Sequence, residues 1–197
     1  AELRREANYP PGLQDHFRPK GIFADKRKVE MMKMRYVNEK VRRRDRLMDE
    51  ARAIELLATA EYGVLSMVDV DGTAYGVPVN YVWDGEDSIY IHCAPVGHKL
   101  EALEKNPHVS FCIIGNVKLL PGKFTTEYES VLLKGVANVR LTSGERMAAL
   151  LRLVDKLSPD FKELGAKYSE KSFHRVNIIR VDFTEFSGKC KHVPAAD

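Results

Sequence analysis

The stretch Ile89-Tyr90-Ile91-His92-Cys93-Ala94-Pro95-Val96-Gly97-His98-Lys99 carries the densest chemistry in this sequence. A β-prone run ends in a short loop at Gly97, and His98-Lys99 open a predicted helix whose apolar face is Leu100 and Leu103. The first turn of a helix leaves backbone N–H groups without partners and carries a partial positive charge, so it attracts an anion. Lys99 adds a full charge and His98 a ring donor, which together make a phosphate cradle. The same residues also suit a loop-ending glycine, an ordinary N-terminal histidine and a solvated lysine, and residue types alone leave both readings open.

A metal is disfavoured. His92, Cys93, His98, His108 and Cys112 fall in one region, but none follows a Cys-x-x-Cys or His-Glu-x-x-His spacing. His92 and Cys93 are neighbours on a strand and point to opposite faces, so they cannot share an ion. Cys93 and Cys112 read as small packing residues. A serine hydrolase lacks support too, because Ser66, Ser110 and Ser130 sit in no nucleophile-elbow sequence.

The elements that must position these residues are legible from Asp49 onward. Ile54, Leu57, Ala58 and Tyr62 recur at helical spacing, with Gly63 as the expected stop. Val64–Asp69, the turn Asp71-Gly72, a long strand Ala74–Trp83, the turn Asp84–Asp87 and the strand Ser88–Cys93 read as a three-stranded antiparallel meander. A fourth strand is expected over His108–Ile114, after Asn106-Pro107 ends the short helix, and a fifth over Thr125–Leu141. Thr142-Ser143-Gly144-Glu145 has capping-box form ahead of a helix with Met147, Leu150, Leu151 and Val154 on one face. A short helix over Asp160–Tyr168 and a closing strand over Arg175–Phe186 follow, the strand shifting its alternation between Ile178 and Val181. Six strands joined mostly by hairpins, with helices between them, predict an antiparallel β-barrel with peripheral helices, a mainly β, α+β fold. A dinucleotide-binding sheet is disfavoured, since no Gly-x-Gly-x-x-Gly follows the first strand.

The 197 residues are 44% hydrophobic and 30% charged, which suits one globular domain with an extension. Charge is uneven: Ala1–Arg52 holds 15 basic and 9 acidic residues, the remainder 16 and 19. Residues 1–44 therefore read as a basic extension, loosely structured or packed on a partner subunit, followed by a domain over 45–192 and a tail over 193–197. Arg42-Arg43-Arg44-Asp45-Arg46 reads as a solvated start to a helix; without interleaved aromatics it makes nucleic acid an unfavoured partner. No apolar run of about 18 residues exists to span a membrane, and Ala1–Lys20 has no apolar stretch of the signal-peptide kind. Three cysteines are too few for a disulfide framework. A soluble, cytoplasmic protein is the expectation.

Gly76-Val77-Pro78-Val79-Asn80-Tyr81, Ile89–Ala94, Gly97-His98-Lys99-Leu100, Asn106-Pro107-His108-Val109-Ser110-Phe111 and Tyr128-Glu129-Ser130-Val131 with Gly135 succeed one another in order, up to Phe186-Ser187-Gly188-Lys189. Over roughly 42–192 this resembles the pyridoxamine 5′-phosphate oxidase-like, FMN-binding split β-barrel family, and within it the nitroimidazole-resistance branch. The resemblance implies a six-stranded split barrel and a homodimer holding FMN in clefts at the subunit interface. It implies that Pro78, Val79, Asn80 and Tyr81 line the flavin ring with backbone groups. His92, Cys93 and Ala94 would run along the ribityl chain and ring edge, and His98 with Lys99 would hold the phosphate. Tyr128, Ser130 and Val131 would come from the fifth strand across the dimer interface. An FMN-dependent oxidoreductase follows, reducing nitro compounds or other small electrophiles, with NAD(P)H a candidate donor and His92 the candidate catalytic group beside the ring. The alternative is a non-catalytic flavin- or haem-binding protein of storage or sensing. Where pyridoxamine phosphate oxidases carry a Ser-Arg-Lys-type grip, this chain has Gly97-His98-Lys99, and its only tryptophan is Trp83 rather than part of a closing Trp- and Arg-containing segment. Both departures argue against vitamin B6 oxidation.

Overall fold

The computed structural model describes residues 34–39 and 41–194. The expectation of a loose or partner-packed arm falls mostly on Ala1–Lys33, outside the described residues. Of its last residues, Arg35–Tyr36 form a strand, β1, running parallel to Glu185–Phe186. The Tyr36 hydroxyl donates to the Met48 carbonyl at 2.5 Å, and its ring packs on Phe186.

Helix α1, Glu50–Thr59, starts where Asp49 accepts hydrogen bonds from the Ala51 and Arg52 amides. Its apolar positions Ala53, Ile54, Leu56 and Leu57 turn to the barrel. It stops at Ala60, earlier than Gly63. Gly63 instead lies in β2, Tyr62–Val68, where a Cβ would run into the Phe111 ring and stand 2.9 Å from the Cys112 carbonyl. Packing, rather than a helix stop, selects that glycine.

β2 pairs with β3, Ala74–Asn80, through the expected Asp71-Gly72 turn, in which Gly72 has φ +88° and Asp71 accepts from the Thr73 amide and hydroxyl. The strand expected over Ala74–Trp83 breaks at Tyr81, giving β4, Val82–Trp83, which pairs with β5, Ser88–Cys93. Helix α2 is His98–Lys105. The long strand β6, His108–Leu120, extends the fourth strand well past Ile114, and β7, Thr125–Asn138, is the expected fifth strand, ending three residues before Leu141. The Thr142–Glu145 capping box opens α3, Ser143–Leu157, as expected. A 3₁₀ turn and α4, Lys162–Ser172, lead to β8, Asn177–Lys191.

The sheet order is β3-β2-β6-β7-β8-β5-β4, so the three-stranded meander does not form: β3 and β5 are not neighbours. The two edge strands, β3 and β4, are consecutive in sequence and joined by Tyr81 alone. The sheet must therefore curl until its edges meet, which is a split barrel with its seam at Tyr81. Six long antiparallel strands make the barrel, and β1 and β4 are two-residue additions. Inside lie Leu65, Ile89, Ile91, Phe111, Ile113, Val131, Leu133, Ile179 and Val181, all fully buried. Removing each from water contributes about 1.5–3 kcal/mol. The irregular alternation near Ile178 has a plain cause. Ile179 faces the barrel while Ile178 joins Ala149, Leu150 and Leu153 beneath α3, so both faces of β8 are covered there.

Candidate functional site

Helix α2 begins at Gly97, whose φ of +149° a side chain would oppose, and no side chain caps its first turn. Lys99, half-buried, has no hydrogen bond or ion pair among the described residues. The helix is clasped to the β2–β3 turn at both ends. His98 Nε2 lies 2.8 Å from Asp69 Oδ2, the Tyr75 ring meets the imidazole edge-on at 5.0 Å, and Lys105 Nζ donates to the Val70 carbonyl. A carboxylate only accepts, so Nε2 carries the proton in that contact. Nδ1, 3.9 Å from a Glu101 oxygen, is the nitrogen that could turn to a phosphate, and only as an imidazolium. His98 is thus partly engaged by its own chain, and Lys99 is the freer cation of the pair.

His92 is exposed on β5, and Cys93 beside it is half-buried. Burial pushes the Cys93 thiol pKa up, against the pull of the Lys99 and Arg146 charges, so it is a neutral packing thiol rather than a nucleophile. Ala94 begins the exposed loop to Gly97. These residues and the α2 opening form one end of the barrel.

The other expected residues divide by face. On β3 and β7, Pro78, Asn80, Tyr128 and Ser130 lie on the outer side, while Val79 and Val131 turn inward. Tyr81 is fully buried: its hydroxyl donates to the Leu57 carbonyl at 2.6 Å, its ring packs edge-on against Phe111, and burial pushes its pKa upward. Of Val79, Tyr81 and Val131, only backbone atoms could touch a bound ring. The register Pro78–Val64–Cys112–Leu132–Ser187 crosses the outer face. Pro78 and Leu132 are three strand spacings apart, about 14 Å. One chain therefore does not gather its β3 and β7 residues around a single ring. A groove of about 320 Å³ opens on this face, lined by Val37, Val41, Cys112, Leu132, Lys189 and the expected Ser130. None of the other expected residues lines it.

Two groups were not anticipated from sequence. Asp69 is one. The other is Glu129, 4% exposed, whose carboxylate takes two N–H donors of Arg52 (3.0 and 2.6 Å) and one from Asn116. The Arg52 guanidinium holds its pKa below the usual carboxylate value. The strand alternation held a clue: Glu129 falls in the inward set with Val131 and Leu133, where a charge needs a partner. Among the described residues, no three His, Cys, Asp or Glu side chains converge as a metal site would require. No helix there is long and apolar enough to cross a membrane.

Residues 49–190 match the sequence profile of pyridoxamine 5′-phosphate oxidase. The chain belongs to that family. Its barrel is similar to solved structures of low identity. A candidate 5-nitroimidazole antibiotic resistance protein from Bacteroides thetaiotaomicron has 21% identity and a TM-score of 0.60, over 74% of this chain and 86% of that one. An FAD and haem binding protein from Mycobacterium smegmatis has 18% identity and a TM-score of 0.65, over 76% and 74%. An FAD-binding protein from Mesorhizobium loti has 19% identity and a TM-score of 0.52, over 75% and 98%. No protein of curated description matches. In this member of the pyridoxamine 5′-phosphate oxidase family, the Gly97-His98-Lys99 opening stands at the start of α2, and the seam at Tyr81 separates β3 from β4.

Proposed function

We propose that this chain is a cytoplasmic FMN-dependent oxidoreductase that works as a homodimer and reduces small electrophiles, nitro compounds among them. The observation that carries the proposal is the opening of α2. It offers uncapped backbone N–H groups, a glycine with open space around it, and a lysine without a partner, a set that fits a phosphate. Lys99 and those amides would hold the phosphate, with His98 Nδ1 beside them. Backbone groups of Pro78–Tyr81 would line the ring, and Cys93 and Ala94 the chain between. Exposed His92 would donate a proton to substrate at the ring edge. Bound there, the flavin supplies the electron-transfer chemistry, and the protein positions it and tunes it. The homodimer is supported by the outer face, where Ser130 and Leu132 of the groove stand about 14 Å from the β3 residues and are free to serve a second copy's flavin.

The visible spectrum of the protein as purified, with mass spectrometry of the released ligand, tests this reading. Flavin absorbance and a mass matching FMN are expected, and colourless protein that gains no absorbance from added FMN overturns it. The Mycobacterium smegmatis relative, described as binding FAD and haem, motivates a second reading as a carrier without turnover. A Soret band, or flavin that neither NADH nor NADPH bleaches in stopped flow, would favour that reading.

A further inference from the structure

His98 is the first residue of α2, and the β2–β3 hairpin grips it from the side. The Asp69 carboxylate that meets it has no slack. Its Oδ1 accepts from the Val70 amide at 2.6 Å, and its Oδ2 faces His98 Nε2 at 2.8 Å. Its backbone closes the turn, the N–H donating to the Thr73 carbonyl and the carbonyl accepting from the Gly72 amide. Only 16% of that side chain is exposed, against 49% for His98. The Tyr75 ring packs edge-on against the imidazole at 5.0 Å and holds its plane, and a flipped imidazole would lose Asp69. A carboxylate that only accepts fixes the proton of a neutral imidazole on Nε2 and leaves Nδ1 as a bare lone pair. A lone pair repels a phosphate oxygen, so Nδ1 joins an anion only by gaining a proton.

The charges around the ring add a second reason. The hairpin contributes the carboxylates of Asp69 and Asp71, the latter held below the usual carboxylate value chiefly by Thr73 and in small part by the His98 charge. Helix α2 contributes Glu101, with an oxygen 3.9 Å from Nδ1, and the ammonium groups of Lys99 and Lys105, the latter donating to the Val70 carbonyl. With His98 neutral, acids outnumber cations at this corner, and one proton on the imidazole evens them. We propose that phosphate capture at α2 is proton-linked: a phosphate monoester binds together with one proton, taken up at His98 Nδ1, and Asp69 is the positioning residue that sends the proton to that nitrogen. This rests on the reading of α2 as the site of the flavin phosphate. The step balances without a co-reactant. A solvent proton bonds to the Nδ1 lone pair, Nδ1–H donates to a phosphate oxygen, and Asp69 stays ionised against the imidazolium. Binding and protonation then favour each other equally.

Calorimetric titration of the full chain at about pH 8, in buffers of different ionisation enthalpy, counts the protons. There a phosphate monoester is a dianion and a free imidazole is neutral, so a proton taken up goes to the protein. Close to one proton per FMN is expected in wild type, none per riboflavin, and none per FMN in His98→Gln. FMN affinity should fall about tenfold per unit as pH rises further, a slope that flattens in His98→Gln. Asp69→Asn should lose most of the uptake, because an amide can donate to Nε2 and let a neutral ring carry its proton on Nδ1. Asp69→Glu should restore most of it. ¹⁵N spectra of His98 in ligand-free protein read the same positioning directly: Nε2–H in wild type, mixed tautomers in Asp69→Asn. A neutral ring protonated on Nδ1 in wild type overturns the role of Asp69. FMN bound without proton uptake, or with uptake that survives His98→Gln, overturns the linkage and leaves the flavin reading standing. If FMN does not bind, the flavin reading falls and inorganic phosphate becomes the probe. Protonation of Nδ1 on adding phosphate would then uphold the linkage, and an unmoved His98 spectrum would overturn it as well.

Discussion

Two carboxylate–cation pairs tie helices to this barrel, and they differ in kind. Arg52 on α1 grips Glu129 with two parallel N–H donors in a site where the carboxylate is nearly sealed from water. His98 on α2 meets Asp69 through one contact, with half of the imidazole in solvent. The first has no free valence for anything else. The second leaves one ring nitrogen and a neighbouring lysine open. The pairing at α1 is closed, and the pairing at α2 leaves donors unused, so helices docked by similar chemistry are left with different capacities.

The sharpest way to break this contrast is at Glu129. Glu129→Ala strips Arg52, one-third exposed and still paired with Glu55, of its buried carboxylate partner and is expected to cost about 2–4 kcal/mol, read by denaturant unfolding. A loss below about 1 kcal/mol would show the pair to be a surface contact in disguise. At α2 the effect should move from folding to affinity. Lys99→Ala removes a charged contact of about 1.5–3 kcal/mol, a ten- to 150-fold loss of FMN affinity, while riboflavin binds mutant and wild type alike. Fluorescence-quenching titrations of both ligands decide it, and an equal loss for riboflavin would move the phosphate elsewhere.

A third cation lies between these extremes. Lys156 of α3 donates to the Ala60 carbonyl at 2.7 Å, sits 3.9 Å above the Tyr81 ring, and is pushed down to about 8 by burial. Folding therefore lowers its pKa, so the unfolded chain holds more protons between about pH 8 and the ordinary lysine value of 10.5. Wild type should gain stability over Lys156→Met as pH rises through that window, and the difference should be flat below it. A difference that shrinks with rising pH would show the ammonium to be favoured where it sits. The smallest effect is expected at Asp69. Asp69→Asn should change stability by under about 1 kcal/mol, because the contact is half in water. Its chevron midpoint should barely move, whereas a shift as large as that for Glu129→Ala would erase the distinction between the two helices.

How far the sequence could be read followed how local each cause was. The Thr142–Glu145 capping box and the Asp71-Gly72 turn need only neighbouring residues, and both were legible. So was the start of α2, because Gly97, His98 and Lys99 are contiguous. Features decided by a distant partner were not. Gly63 reads as a helix stop, yet Phe111 packs against it. Tyr81 reads as mid-strand, yet its hydroxyl donates to Leu57 on α1. Asp69 reads as the end of a strand, although it binds a histidine 29 positions away. The alternation of β8 was blurred because α3 covers its second face, and no period in that segment alone could reveal a helix placed elsewhere in the chain.

The seam at Tyr81 also sets the order in which this barrel can be made. Its two edges lie side by side at almost no loop-closure cost, but the strands that must join in the middle are far apart along the chain: Ile89 opposes Val181, and Ser88 opposes Asp182. Pairings of such sequence separation are slow to find. During synthesis the β2–β3 and β6–β7 hairpins can form as they emerge, while β5 and β7 wait with open edges for β8, the last strand to appear. A chain cut short before Asn177 would thus keep two sticky edges, and the final fifteen residues of strand act as the zipper that closes the molecule.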